Sequence, residues 1–310
     1  MGDRERALTN TKGDLKRYMK QRHRLGMANC HTVYYQALER VTPKTVPTFN
    51  NSISTDPDLT MAQRATRWQY LTGTLPHAKN LWRWHRLPTP TCPKCGNEAG
   101  GTHVMLQCPG HECLRTERHH AVGRVMAKAI ANGRKGGLLV MADVGSADSH
   151  AGNRPYDSSL PPWLAKDLED QHPGIQAARK YRPDILLIER PSGPGTIWEP
   201  GMEVFIGELK VCQDTRPEDA WHRAQEQHKE FAAALQAVCK RHHYHLTVTI
   251  VPVLIGAAGT VYQEYTLDSL KTLGVVDELH DTVRKMRNLA VVWSHTIKID
   301  HLRCATATAG

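Results

Sequence analysis

The sequence predicts an α/β fold in which helices flank a mixed sheet. Two apolar runs, DILLIER (184–190) and MEVFIGELKV (202–211), have the length and β-branched content of strands. The segment 216–242 has the periodicity of a long amphipathic helix, and an apolar run at 245–262 follows it as one long or two short buried strands. The order strand, strand, helix, strand is typical of a sheet with helices packed on it.

A helical region is expected before this core. Residues 1–40 predict one or two basic helices, and the Pro-, Ser- and Thr-rich stretch 41–60 predicts a linker. The hydroxyl of Thr60 is placed to cap the helix MAQRATRWQYLTG. Residues 112–131 have helical spacing, LLVMADV is a candidate strand, and PPWLAKDLED is a short helix. Helices LDSLKTLG and VDELHDTVRKMRNLAVVWSHTIKI follow the sheet, and 301–310 predict a disordered tail.

Positive charge is concentrated in one part of the chain. The 310 residues carry a formal net charge of +9, and the window 61–135 contains twelve Lys or Arg against three acids. Such a field attracts polyanions, so nucleic acid is the expected partner, with a solvated basic face as the alternative. Trp82 and Trp84 lie among these basic residues, either as nucleic-acid contacts or as core. The arginines expected to contact nucleic acid here are Arg64, Arg67, Arg83 and Arg86.

The location expected for the protein is intracellular. No apolar run approaches the roughly 20 residues needed to cross a bilayer, and the polar, basic amino terminus is unlike a signal peptide. A nuclear location fits the expected nucleic-acid partner.

A cysteine-rich segment predicts a zinc site. TCPKCGNEAGGTHVMLQCP has the spacing C-x2-C-x7-H-x4-C, with Cys92, Cys95, His103 and Cys108 as ligands. Four nitrogen or sulfur ligands form a closed tetrahedral site, so this zinc is expected to be structural. The neighbouring His111 and Cys113 are alternatives to Cys108 as the fourth ligand.

The two strands before the long helix carry a possible active site. Side chains two residues apart on a strand share a face, so Glu208 and Lys210 project together. If the two strands pair antiparallel, Asp184 approaches Glu208. Two carboxylates suit Mg²⁺ or Mn²⁺, and a lysine beside them can stabilise developing charge during phosphodiester hydrolysis. The alternative is a strand-start acid and an exposed cross-strand ion pair.

At these residues the chain resembles a known family. RPD…GELK resembles the PD-(D/E)xK nuclease superfamily. The cysteine segment, ERHH, PPWL, RPDILL, GELKVCQDTRPE, AQEQHKEF and VPVLIGAAGTV, in this order, resemble the zinc-knuckle and restriction-like endonuclease region of site-specific non-LTR retrotransposon reverse transcriptase proteins. The resemblance spans roughly residues 60–297. It implies a metal-dependent endonuclease that nicks double-stranded target DNA, with element RNA as a further partner.

The resemblance also implies roles for single residues. Asp184 matches the first acid, Glu208 the second and Lys210 the superfamily lysine, with Lys229 on the following helix as a competitor. Arg118 and His119 match a basic pair near the phosphate backbone. A further candidate is Glu117 as a metal ligand. Gln227 and His228 on the same helix as Lys229 either face the site, contact DNA or lie on an exposed helix face.

The resemblance implies a division into domains. Residues 1–87 would be a basic helical region and linker, the remnant of a polymerase thumb, and 88–112 the CCHC zinc knuckle. Residues 113–300 would be the restriction-like endonuclease domain, and 301–310 the tail. No Tyr-x-Asp-Asp polymerase signature occurs, so we expect a fragment, a truncated reading frame or a domesticated remnant, with the polymerase portion as a possible partner. Alternative functions are an inactive nucleic-acid-binding remnant and a stand-alone repair or junction nuclease.

Overall fold

Four strands form a mixed sheet in which sequence order and spatial order coincide. The computed structural model describes residues 44–133, 138–144, 162–171, 182–189, 201–241 and 246–307. The strands are β1 (Leu138–Ala142), β2 (Ile185–Glu189), β3 (Glu203–Cys212) and β4 (Thr247–Gly256).

Helices account for most of the remaining described residues. The α-helices are α1 (Pro47–Ser52), α2 (Met61–Leu71), α3 (Ala78–Arg83), α4 (Glu112–Gly133), α5 (Pro162–Gln171), α6 (Pro217–Arg241), α7 (Ser269–Thr272) and α8 (Leu279–Ala307). Shorter helical turns of other types cover His103–Gln107, Pro109–His111 and Gln263–Asp268.

The pairing of the strands confirms the predicted α/β class and the mixed sheet. β1 and β2 are antiparallel, as are β2 and β3, whereas β3 and β4 are parallel. A parallel neighbour cannot be reached through a tight hairpin, so the chain crosses over through α6. The apolar run after α6 forms one strand of ten residues.

Helices cover both faces of the sheet. Successive side chains of β2 point to opposite faces, and Ile185, Leu186, Leu187 and Ile188 are all buried. This explains why β2 is a continuous apolar run instead of an alternating one. The core under α4 and α8 includes Val122, Met126, Leu209, Val253 and Met286, and the core under α5 and α6 includes Leu164, Leu186, Ile206, Phe231 and Leu235.

The predicted linker at 41–60 is wrong over its described part. Residues 47–52 form α1, and Phe49, Ile53 and Leu59 are buried. Ile53 and Leu59 pack against Val291 of α8. These apolar side chains are separated by Pro, Ser and Asn, so the overall polar composition gave no sign that the segment packs against α8.

The predicted tail is wrong over its described part, residues 301–307. Residues 301–307 are the last turns of α8, with His301 and Ala305 buried, instead of a disordered tail. Lys44–Gly310 forms one compact unit. The predicted boundaries at residues 87 and 112 lie within this unit and stay predictions. Within this unit, α8 contacts segments that precede the sheet in the chain: Val291 packs on Ile53, and Asp300 bonds His111.

Local signals at helix ends were more reliable. Thr60 caps α2 as predicted, because its hydroxyl accepts from the Gln63 amide at 3.3 Å and the Gln63 side chain accepts from the Thr60 amide at 2.8 Å. The helices predicted within 1–40 lie outside the described residues. Among the helices that the structure describes, none combines the length and apolar composition required to cross a bilayer.

Candidate functional site

The four predicted zinc ligands meet in one cluster. The ligand atoms of Cys92, Cys95, His103 and Cys108 all lie within 4.8 Å of one another. The Sγ of Cys108 lies 3.6 Å from that of Cys92 and 3.7 Å from that of Cys95, and Cys95 Sγ lies 3.3 Å from His103 Nε2. A tetrahedron with metal–sulfur bonds of about 2.3 Å has edges of about 3.8 Å. The cluster can therefore hold a metal ion such as zinc.

Tight turns of the backbone bring these ligands together. The amide of Gly96 donates to the Cys92 carbonyl at 2.8 Å, and Gly96 has a positive φ of 75° that favours glycine. The Cys92 amide donates to the carbonyl of Asn97 at 2.6 Å. On the other side, the Cys108 amide donates to the His103 carbonyl at 2.7 Å, closing the helical turn between the second pair of ligands.

Cys108 is the fourth ligand of the cluster, and the two alternatives are placed elsewhere. Cys113 is exposed. His111 is buried beside the cluster, where its Nδ1 lies 3.1 Å from Asp300 Oδ2 and its Nε2 lies 3.5 Å from His301 Nδ1. His111, whose amide also donates to the Cys108 carbonyl at 3.1 Å, thus connects the cysteine–histidine cluster to the end of α8. Sequence reasoning missed Asp300 and His301, which lie almost 200 positions away in the chain.

The thiols of the cluster differ in acidity. Burial and the neighbouring sulfurs raise the pKa of Cys108 to about 12. Burial also opposes ionisation of Cys95, but hydrogen bonds from the Asn97 amide and from neighbouring thiols lower its pKa overall. Metals bind thiolates, so loading this cluster would release protons and would weaken in acid.

The structure also brings together the two predicted carboxylates. Ile185 pairs with Gly207 in the β2–β3 ladder, which places Asp184 beside Glu208. The Leu209 amide donates to Asp184 Oδ2 at 2.7 Å, and the Asp184 amide lies 3.4 Å from Glu208 Oε2. Backbone amides of each strand therefore orient the acid of the other.

Glu208 is the centre of a buried polar network. Its Oε1 accepts from Lys210 Nζ and from Gln227 Nε2, the latter at 3.1 Å, and its Oε2 lies 2.8 Å from His228 Nε2. Lys210 Nζ also donates to Gln227 Oε1 at 2.8 Å. Gln227 and His228 thus face the carboxylate from α6 and do not lie on an exposed helix face.

Two further candidates, the alternative lysine Lys229 and the possible metal ligand Glu117, lie away from this network. Lys229 has a side chain that is 69% exposed and pairs with Glu226 on the same helix at 2.8 Å. Glu117 is half-buried on α4, where its charge acts on the neighbouring His120. Lys210 is thus the lysine at the acids.

His119 touches the first acid, although we expected it near a phosphate backbone. Its Nε2 lies 3.0 Å from Asp184 Oδ2 and 3.2 Å from the Leu209 carbonyl. Burial lowers the pKa of His119, but the charge and hydrogen bond of Asp184, together with the charge of Glu208, raise it overall. His119 therefore donates to Asp184 and holds its carboxylate in place.

The pKa values of the two carboxyl groups are shifted in opposite directions. Burial and the charge of Glu208 raise the pKa of Asp184. Burial also opposes ionisation of Glu208, but the hydrogen bond from His228 and the charge of Lys210 lower its pKa to about 2. Without a cation, Glu208 is the ionised acid of the pair and Asp184 is the one more readily protonated.

Three arginines expected to contact nucleic acid donate to groups of the protein itself, and two of them are buried. Arg118 is 2% exposed and donates to Ser294 Oγ and to the Met105 carbonyl, each at 2.9 Å. Arg67 is 5% exposed and donates to backbone carbonyls, among them that of Asn50. The third, Arg64, donates to the carbonyls of Ser54, Asp56 and Leu59.

These arginines bond carbonyl groups of the protein, and their charge alone could not indicate this. The sequence prediction that Arg118 and Arg67 contact nucleic acid is therefore wrong, because both are buried. Arg83 and Arg86 are exposed, as a nucleic-acid contact requires.

Replacing Arg118 by Met is expected to lower the free energy of unfolding by about 2 kcal/mol, because two hydrogen bonds from a charged donor are lost. The affinity for DNA should not change. Urea unfolding and fluorescence anisotropy measure the two quantities. The matched variant, Arg86→Met, should show the reverse: unchanged stability and weaker DNA binding. Weaker DNA binding by a fully stable Arg118→Met protein would contradict this assignment.

Comparison with protein-family models finds no match to this chain, and no curated protein matches it significantly.

Proposed function

We propose that this protein is a metal-dependent DNA endonuclease of a non-LTR retrotransposon, of the PD-(D/E)xK type, which nicks target DNA by phosphodiester hydrolysis. The convergence of Asp184, Glu208 and Lys210 at the start of β2 and on β3 carries the proposal. The mixed sheet flanked by helices is the layout that the sequence resemblance implies.

The donor chemistry of the site fits a hard divalent cation. Asp184 and Glu208 offer carboxylate oxygens, the ligands that Mg²⁺ and Mn²⁺ prefer. Once bound, such a cation polarises the scissile phosphate and lowers the pKa of water. Asp184 would be a ligand in its ionised form, oriented by the Leu209 amide and by His119.

Lys210 and Gln227 complete the proposed site. The Lys210 side chain is 31% exposed, so its ammonium group lies where a phosphate can approach. There it would stabilise the negative charge that develops on the phosphate oxygens. Gln227 bonds both Glu208 and Lys210 and would keep the carboxylate and the ammonium group in register.

The cysteine cluster would supply the second part of this function. We propose that it is a zinc knuckle that aids binding of target DNA or element RNA, since the exposed Arg83 and Arg86 shortly precede it. Such an activity fits a nuclear protein.

A second candidate function is a nucleic-acid-binding protein without turnover. Glu208 supports it, because its carboxylate already accepts hydrogen bonds from Lys210, Gln227 and His228. A carboxylate with satisfied oxygens is a weaker metal ligand unless one of these donors moves away.

Incubation of the zinc-loaded protein with supercoiled plasmid and Mg²⁺ separates the two candidates. We expect conversion to the open circular form, and none with Mg²⁺ omitted. Intact plasmid in both Mg²⁺ and Mn²⁺, with folded and zinc-loaded protein, would support the binding function instead.

Affinity for Mn²⁺ is expected to rise between about pH 5 and about pH 8. The pKa values of Asp184 and His119 are both raised, so acid protonates the first ligand and adds a positive charge beside it. At higher pH, Asp184 becomes an ionised ligand and His119 loses its positive charge, and both changes favour the cation. Calorimetric titration at several pH values measures this, with His119→Gln as the variant that should weaken the dependence. The same affinity at all these pH values would contradict the proposed ligand role of Asp184.

A further inference from the structure

Two tryptophans at the end of α3 lie on the surface instead of in the core. Trp82 is 44% exposed and Trp84 is 45% exposed. Trp82 also lines an open groove of about 510 Å³ together with His85, Arg86, Leu87 and Pro88. Large exposed aromatic side chains beside a groove are typical of binding surfaces. We call these five residues the Trp82 groove.

The backbone at the end of α3 builds the groove. The His85 amide donates to the Trp82 carbonyl at 2.9 Å, and the Arg86 amide donates to the Leu81 carbonyl at 2.8 Å. This hydrogen-bond pattern ends a helix through a left-handed residue, usually glycine. His85 takes that position with a φ of 56°, which is unfavourable for a residue with a side chain. The reversal places His85 and Arg86 back beside Trp82.

Positive charge remains unpaired next to this groove. Several other charges of the basic segment are engaged: Lys79 pairs with Glu98, and Lys94 pairs with Asp300. Arg64, Arg67 and Arg118 donate to carbonyls inside the protein. Within the described residues, no ion pair involves Arg83 or Arg86, and both are exposed. The groove therefore combines the aromatic face of Trp82 with the exposed guanidinium group of Arg86, and Arg83 is exposed next to it on α3.

We propose that the Trp82 groove binds single-stranded nucleic acid, with an unpaired base stacked on Trp82 and the phosphates near Arg83 and Arg86. Stacking on an aromatic side chain requires an exposed base face, which a single strand offers and an intact duplex hides. Guanidinium groups supply the sequence-independent attraction to the backbone. The inference rests on the nucleic-acid substrate of the proposed function, but not on hydrolysis.

Fluorescence anisotropy with a labelled oligo-dT of about 12 nucleotides, and with a duplex of the same length, tests this proposal. Mg²⁺ is omitted so that binding is measured without cleavage. We expect Trp82→Ala to weaken single-strand binding by about 10-fold or more and duplex binding by less than about 2-fold. Trp82→Phe, which keeps an aromatic face, should restore most of the affinity. Arg86→Met should weaken binding and lower the slope of log affinity against log salt by about 0.7.

Trp68→Ala is the matched control, because Trp68 is 50% exposed but lies on α2 and does not line the groove. It should bind both probes like the wild-type protein. Thermal melts and zinc content identify any variant that has lost its fold. The proposal would be overturned if folded Trp82→Ala bound single-stranded DNA as tightly as the wild-type protein. It would also be overturned if Trp68→Ala lowered that affinity equally. If the protein nicks plasmid but does not bind oligo-dT, only this inference is wrong. If it binds oligo-dT through Trp82 but does not nick plasmid, only the nuclease proposal is wrong.

Discussion

Asp184→Asn and Glu208→Gln proteins are each expected to nick supercoiled DNA more than about 100-fold more slowly than the wild-type protein. Each change keeps the shape of the side chain and removes its negative charge. The amide oxygen introduced by Asp184→Asn would still accept from the Leu209 amide, so the strand pairing should survive. Loss of charge removes the attraction for a divalent cation, and with it the activated water and the polarised phosphate. Initial nicking rates at saturating protein measure the effect.

The lysines on β3 and α6 provide the control for this experiment. Lys210→Met should slow nicking but leave Mn²⁺ binding in place, because Lys210 is proposed to act on the phosphate. Lys229→Met should nick at the wild-type rate, since its exposed side chain pairs only with Glu226 in the region described. Nicking that survives Asp184→Asn and Glu208→Gln would show that another site, or a contaminant, cleaves the DNA.

Removal of zinc is expected to produce the largest change in stability. The purified protein should contain one zinc ion per chain, and Cys108→Ser should lose it and unfold at least about 3 kcal/mol more easily. Cys92 and Cys108 are almost fully buried, so the cluster without metal would leave polar thiols and a neutral imidazole packed against one another. Metal analysis and urea unfolding measure the two quantities.

The end of α8 moderates this effect. Lys94 pairs with Asp300 at 2.6 Å, and His111 bonds the same carboxylate, so side chains hold the cysteine segment independently of the proposed zinc. We therefore expect partial unfolding of this segment, with the sheet retained. Cys113→Ser is the matched control, because Cys113 is exposed and outside the cluster. Equal stability of Cys108→Ser and Cys113→Ser, with no zinc in either, would contradict a structural metal site.

Features with a local origin could be predicted from the sequence. The four clustered ligands lie within seventeen residues, so their spacing alone nearly determines the geometry of the cluster. Glu208 and Lys210 share a face because they are two residues apart on one strand. Asp184 approaches them because β2 and β3 pair antiparallel, which was the simplest pairing of two neighbouring runs.

Features that depend on long-range contacts could not be predicted. His119 reaches Asp184 only because α4 packs on the sheet, and nothing in the letters ERHH shows this. The buried role of Arg118 depends on Ser294 of α8, far along the chain. Sequence shows the charge of an arginine but not whether its partner is a phosphate or a buried carbonyl.

The central claim is that Asp184 and Glu208 form a divalent-cation site, and direct titration of Mn²⁺ into the zinc-loaded protein tests it. We expect one site per wild-type chain in addition to zinc, and no such site in Asp184→Asn or Glu208→Gln. If the wild-type protein takes up no Mn²⁺, or if both variants take it up equally, the acids form only a structural hydrogen-bond network and the nuclease proposal is wrong.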